Sequence, residues 1–120
     1  MRSFFIAGND KIKREEHMIT SFQKKVYEAT KTIPFGKVAT YQDIARMIGK
    51  PKAVRAVGNA LHNNPMMIIV PCHRVVNSKG GLALNFGFDG PEAQKRLLES
   101  EGVMVDSYHV DLKIYRVFTL

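Results

Sequence analysis

The chain has no tryptophan and a single cysteine among its 120 residues. One thiol cannot close an internal disulfide, so nothing here asks for an oxidising compartment, and a cytoplasmic protein is expected. That cysteine and four histidines are too scattered for a zinc-ligand spacing, so neither a metal nor another cofactor is expected. No apolar run reaches the ~20 residues of a membrane span. The opening MRSFFIAGND also holds too short an apolar stretch for a secretory signal, so no membrane role is expected. Acidic residues are scarce as well: eleven stand against eighteen Lys and Arg, giving a formal charge of +7 and a pI near 9.7. A surface of that sign favours a polyanionic partner, with nucleic acid the first candidate.

What is present suits one domain. The hydrophobic share is 45%, enough for a real core in a chain of this length. Residues 1–18, ending in NDKIKREEHM, are charged and without strong periodicity; they read as a leader, with a single domain over 19–120. Thr20 and Gln23 make a capping box before a helix whose inner face is Phe22, Val26 and Ala29. Pro34 and Gly36 end it. A second helix follows a Thr40 cap, with Ile44, Met47 and Ile48 inward and Gly49 as its stop. Pro51 suits the first turn of a third helix carrying Val54, Val57 and Leu61 on its inner face. Two short helices around a glycine turn in a basic chain suggest a helix-turn-helix, with an ordinary helical hairpin as the plainer alternative.

Downstream, Val75 and Val76, a turn over Asn77–Gly81 and a return through Leu82 and Leu84 predict a β-hairpin. Pro91 opens a last helix with Leu97 and Leu98 inward and Gly102 as its stop, and the tail alternates Val110, Leu112 and Ile114 as an edge strand would. The fold class expected is mainly α with a small β-hairpin, a winged helix-turn-helix.

The one cysteine lies in VPCHRV, residues 70–75. A thiol beside an imidazole is either a nucleophile with its base or a small apolar residue beside a structural histidine. Only the thiolate is nucleophilic, so an imidazole taking its proton, with a carboxylate holding that imidazole, would make the first reading work. Spacing alone leaves both open.

IPFGKVATYQDIA, GKPKAVRAVGNALHNNP and VPCHRVV occur in that order. Together they closely resemble the O6-alkylguanine-DNA alkyltransferase family, from about Phe22 to Gly102, over its DNA-binding, active-site domain only. The resemblance implies a protein that flips an O6-alkylated guanine from double-stranded DNA and takes the alkyl group irreversibly onto Cys72, and a monomer is expected. It makes His73 the water-mediated base, Glu101 the partner of that histidine, and Asn64 the residue holding the active-site turn. Arg55 would fill the space of the flipped base, Tyr41 would crowd the phosphate backbone, and Ala53, Ala56 and Gly58 would let the helix approach the minor groove. Arg74 joins them as a DNA-binding residue.

One segment departs from the family pattern. GLALNFGFDGPEAQ has no tyrosine or serine between Gly80 and Gln94, where alkyltransferases place a donor near the guanine O6. It looks more like the alkyltransferase-like proteins, which usually carry tryptophan at the position of Cys72, bind the lesion without repairing it and recruit nucleotide excision repair proteins. Phe86 or Phe88 would then supply an aromatic wall. Three functions are thus weighed: alkyl transfer, lesion binding without transfer, and a winged-helix transcription regulator whose cysteine is structural or redox-sensing.

Overall fold

Side-chain caps set where the first two helices begin. The computed structural model describes residues 19–64, 69–84, 86 and 90–117; the leader expected over 1–18 lies outside them. Helix α1 is Ser21–Lys31. Thr20 Oγ1 accepts from the Gln23 amide at 3.0 Å, and Gln23 Oε1 accepts from the Thr20 amide at 2.9 Å, completing the expected box. Val26 and Ala29 are buried and Phe22 packs at the edge of the core.

Strand β1, Ala39–Thr40, runs straight into helix α2, Tyr41–Met47. Thr40 caps α2 and Asp43 returns a bond to the Thr40 amide, a second capping box. At the other end Gly49 takes φ +77°, and the Gly49 and Lys50 amides donate to the Arg46 and Ala45 carbonyls. This is the left-handed glycine stop the sequence predicts.

Helix α3 is Val54–His62, later than expected. Pro51 lies in the connecting turn, where its carbonyl accepts from Gln42 Nε2 at 2.9 Å. Ile44 is buried but Met47 is 43% exposed, because α2 lasts only two turns and its inward stripe passes from Ile44 to Ile48. Val57, Ala60 and Leu61 are buried, and Tyr27 of α1 donates its hydroxyl to the Ala60 carbonyl at 2.7 Å.

The expected hairpin after Cys72 does not form. A 3-10 turn, Cys72–Arg74, leads into β2, Val75–Val76, which pairs parallel with β1, Ala39 opposite Val75 and Thr40 opposite Val76. Both valines are wholly buried, as in a strand covered on two faces, so two β-branched residues carried no alternation to reveal the partner. The Asn77–Gly81 turn does form, with Asn77 Oδ1 accepting from the Lys79 and Gly81 amides. The chain leaving it joins a different partner: Leu82 N donates to the Tyr108 carbonyl, and Leu84 is 86% exposed.

Helix α4, Pro91–Ser100, opens on Pro91 and gives way to Gly102 at φ +87°, with Leu98 buried. It is not the last helix. Strands β3, Val105–Asp106, and β4, His109–Val110, form an antiparallel hairpin, and α5, Leu112–Tyr115, follows. The edge strand expected through Ile114 is therefore corrected: the Asp111 side chain accepts from the Lys113 amide and turns the chain into α5, leaving Ile114 exposed. Beyond α5 the chain returns to β1, with Val38 N donating to the Tyr115 carbonyl and Val117 N to the Val38 carbonyl. The described residues are mainly helical with two small sheets. Among the described residues no helix is long and apolar enough to cross a membrane.

Candidate active site

Cys72 opens the 3-10 turn, and its amide donates to the Val70 carbonyl at 2.7 Å. The side chain is buried in the same apolar cluster as Phe86 and Tyr27. Phe88 lies outside the described residues. Asn64, just past α3, reaches the turn from the other side: Nδ2 donates to the Val70 carbonyl at 3.1 Å, and its side chain also hydrogen-bonds Cys72. Burial pushes the Cys72 thiol up, and the bonds from Asn64 and from the backbone only partly offset this. The group is a thiol, not a thiolate, at neutral pH.

His73 is buried, with Nε2 2.7 Å from Glu101 Oε2. Burial holds the imidazole below its ordinary value and the Arg74 charge acts in the same direction, outweighing the pull of Glu101. The ring is therefore neutral. An ionised carboxylate only accepts, so Nε2 carries the hydrogen and donates it, and the lone pair sits on Nδ1.

Glu101 is held ionised. Burial alone would raise it, but bonds from Arg74, His73 and the Gly36 amide bring it below the usual carboxylate range. The Arg74 contribution is a fork: Nε to Oε1 and Nη2 to Oε2, both 2.9 Å. Its remaining arm, Nη1, donates to the Ile33 carbonyl at 2.7 Å, and the guanidinium lies 5.7 Å from the centre of the Phe35 ring. The Arg74 guanidinium expected on DNA is thus committed within the chain, tying the turn to Glu101 and to the segment after α1.

Gln94 was not among the sequence candidates. Wholly buried on α4, it donates Nε2 to the His73 and Val75 carbonyls, both at 3.0 Å, and accepts from the Ala83 amide at 2.7 Å. It thereby fixes the backbone on both sides of Arg74. The available signal was a polar residue one turn before Leu98, on the inward stripe of an amphipathic helix.

Cys72, His73, Glu101 and Asn64 thus come together, while the other candidates sit on α2 and α3. Tyr41 is the first residue of α2 and half-buried, packed against the cluster that holds Cys72, and burial raises its hydroxyl. Arg55 and Ala56 are exposed on α3, and a Cβ on Gly58 would meet nothing within 4 Å. Ala53 precedes α3, whose first amides have no side-chain cap. This end of α3 is open, small and positively charged.

Residues 21–103 match the family model described as 6-O-methylguanine DNA methyltransferase, DNA binding domain. The chain belongs to this family. It is 46% identical over 97 residues to the methylated-DNA–protein-cysteine methyltransferase of Kluyveromyces lactis, an alignment covering 80% of this chain and 50% of that one. The chain spans about half the length of the curated relatives it matches. Among solved structures it resembles S. pombe Atl1 in complex with damaged DNA containing O6-carboxymethylguanine, with TM-score 0.74, 39% identity and coverage of 82% of this chain and 95% of that one. It also resembles the Mycobacterium tuberculosis O6-methylguanine methyltransferase, with TM-score 0.65, 42% identity and coverage of 79% and 55%.

Proposed function

We propose that the chain repairs O6-alkylguanine in double-stranded DNA by moving the alkyl group onto Cys72, once per molecule. The observation that carries this reading is the neutral, buried His73 bound at 2.7 Å to an ionised Glu101, directly beside the only thiol. In the step, the Cys72 Sγ–H proton passes through a water to His73 Nδ1 as the Sγ–C bond forms and the C–O6 bond breaks. The guanine keeps the electron pair and departs as an anion, which becomes the restored base when N1 takes up a proton from water, and the imidazolium later returns its proton to solvent. Glu101 stabilises the imidazolium that results. Asn64 holds the turn, and Arg74 acts as a positioning residue for Glu101 instead of a DNA contact.

For the fold this means a winged helix-turn-helix, with α2 and α3 as the helix pair, forming one domain from residue 19 onward. Ala53, Ala56 and Gly58 allow α3 to enter the minor groove, where little sequence information is read. Arg55 takes the place of the flipped base, and Tyr41 presses on the neighbouring phosphate. The protein acts as a monomer in the cytoplasm, where a free thiol stays reduced.

The test is a mass measurement. Protein incubated with duplex containing O6-methylguanine should gain one methyl group in place of a hydrogen, mapped to Cys72, with at most one transfer per molecule. Cys72→Ala should still bind the lesion. Tight lesion binding with Cys72 unmodified after long incubation would overturn transfer and establish lesion recognition alone. Equal affinity for damaged and undamaged duplex would point to the regulator.

A further inference from the structure

The family match stops at residue 103, yet the chain beyond it reaches back to the helix pair. Arg116 Nε donates to Asp43 Oδ2 at 3.0 Å and its Nη2 to Oδ1 at 2.6 Å, a two-pronged pair between residues far apart in sequence. The Asp43 side chain is 1% exposed and that of Arg116 21%. Asp43 Oδ2 also accepts from the Thr40 amide at 2.9 Å, so one buried carboxylate receives three N–H donors. Burial alone would raise Asp43, but the bonds from Arg116 and Thr40 outweigh it and keep it ionised. A helix cap does not need this. A capping-box carboxylate works at the surface, whereas a buried one is tolerated only with a well-placed cation. What the fork adds is orientation, since a guanidinium bound through two atoms fixes the carboxylate plane.

The location says what is being oriented. Thr40 through Asp43 is the first turn of α2, from which Tyr41 projects, and α2 leads through the Gly49 turn to α3. Arg116 is delivered there by α5 and by the backbone bonds on either side of it to Val38, next to β1. The relay is anchored elsewhere: Arg74 to Ile33 and Glu101, Gln94 to His73, Val75 and Ala83. The two sets of bonds share no side chain.

We infer that Arg116 is a positioning residue for DNA engagement: through Asp43 it sets the first turn of α2, and so the helix pair, independently of the alkyl-transfer relay. This rests on the proposed function and goes beyond it by separating duplex binding from chemistry at a residue outside the family match.

The experiment compares Arg116→Met and Arg116→Lys with wild type on two substrates: duplex containing O6-methylguanine, and free O6-benzylguanine, which needs no duplex held. Both replacements keep an aliphatic stem, and folding is checked by circular dichroism. Arg116→Met should lower duplex affinity and sub-saturating duplex transfer by about tenfold, the scale of one charge-assisted hydrogen bond. Free-base transfer should stay within about twofold. Arg116→Lys should fall between, because an ammonium keeps the charge and loses the fork. Equal losses on both substrates, no loss on either, or failure of both variants to fold would each overturn the inference. Wild-type protein that neither binds nor dealkylates duplex would overturn the proposed function itself, and that result is seen before any variant is made.

Discussion

Replacing His73 with Ala removes the proposed proton acceptor and leaves the thiol in place. The Arg74–Glu101 fork does not depend on the imidazole, so the turn keeps its main tie. An ordinary cysteine, with pKa ~8.5, is about 3% thiolate at pH 7. Burial pushes Cys72 above that value, so its spontaneous thiolate fraction is smaller still. A positioned base contributes ~10²–10⁴-fold to a proton-coupled step, and a loss of that size is expected near neutral pH.

The pH profile separates this from general damage. Wild-type His73, held below its ordinary value, is already neutral at pH 7, so transfer should be level through neutral pH and fall as acid protonates the ring. In His73→Ala the rate should climb about tenfold per pH unit while the thiol ionises by itself, narrowing the gap roughly 10²-fold between about pH 7 and pH 9. Single-turnover transfer from free O6-benzylguanine, read by intact mass, avoids DNA binding altogether. A variant with a near-wild-type rate at neutral pH, or one whose deficit stays constant as pH rises, would refute the role given to His73.

Three further outcomes follow from the same geometry. His73, Glu101 and Asp43 all lie below their ordinary values when folded, so the unfolded chain binds more protons and stability must fall in acid. Denaturant midpoints should be level between about pH 6.5 and pH 8, decline below that window as the histidine contribution is lost, and drop steeply below about pH 4.5 as the carboxylates follow. Arg74→Met should cost about 3 kcal/mol, because it strips a buried carboxylate of its main partner. It should leave the salt dependence of duplex binding unchanged, and a slope reduced by about one unit would restore Arg74 to the phosphate contacts. Ser107→Gly should stabilise by about 1 kcal/mol in denaturant unfolding, since Ser107 holds φ +52° in the β3–β4 turn.

The helix ends were legible because caps are local chemistry: Thr20 with Gln23, Gly49 and Pro91 each act within a turn of themselves. Strand pairing was not. Val75 and Val76 show β preference, but their partner lies some 36 residues upstream, and two residues are too few to display a period. The β3–β4 turn was hidden because Ser107 and Tyr108 occupy left-handed positions usually filled by Asn and Gly. Tyr108 is held there by its hydroxyl bond to Glu92 and by Lys95 near its ring. At the site, Cys72, His73, Asn64 and Glu101 came from motif resemblance, which marks residues that touch chemistry. Gln94 and Arg116 lay outside it because they act through other residues, and Arg116 reaches Asp43 only once α5 has turned the chain.

The raised thiol of Cys72 would be a defect in an enzyme that turns over. A low-pKa thiolate attacks faster, but it also reacts with oxidants and with any passing electrophile. An acceptor consumed by one transfer has no later cycle in which to recover from such a loss, so every unproductive reaction removes a whole molecule. In the proposed reaction, keeping Cys72 protonated and buried, with a neutral imidazole next in the chain, would postpone nucleophilicity until a substrate occupies the site. His73 must then be neutral beforehand, which requires the burial that lowers its pKa. Glu101 must be charged beforehand, which requires the Arg74 fork that overcomes its own burial. Arg74 therefore does two jobs with one charge: it keeps Glu101 ionised as an acceptor for Nε2–H, and it disfavours a second proton on His73 until the thiol supplies one.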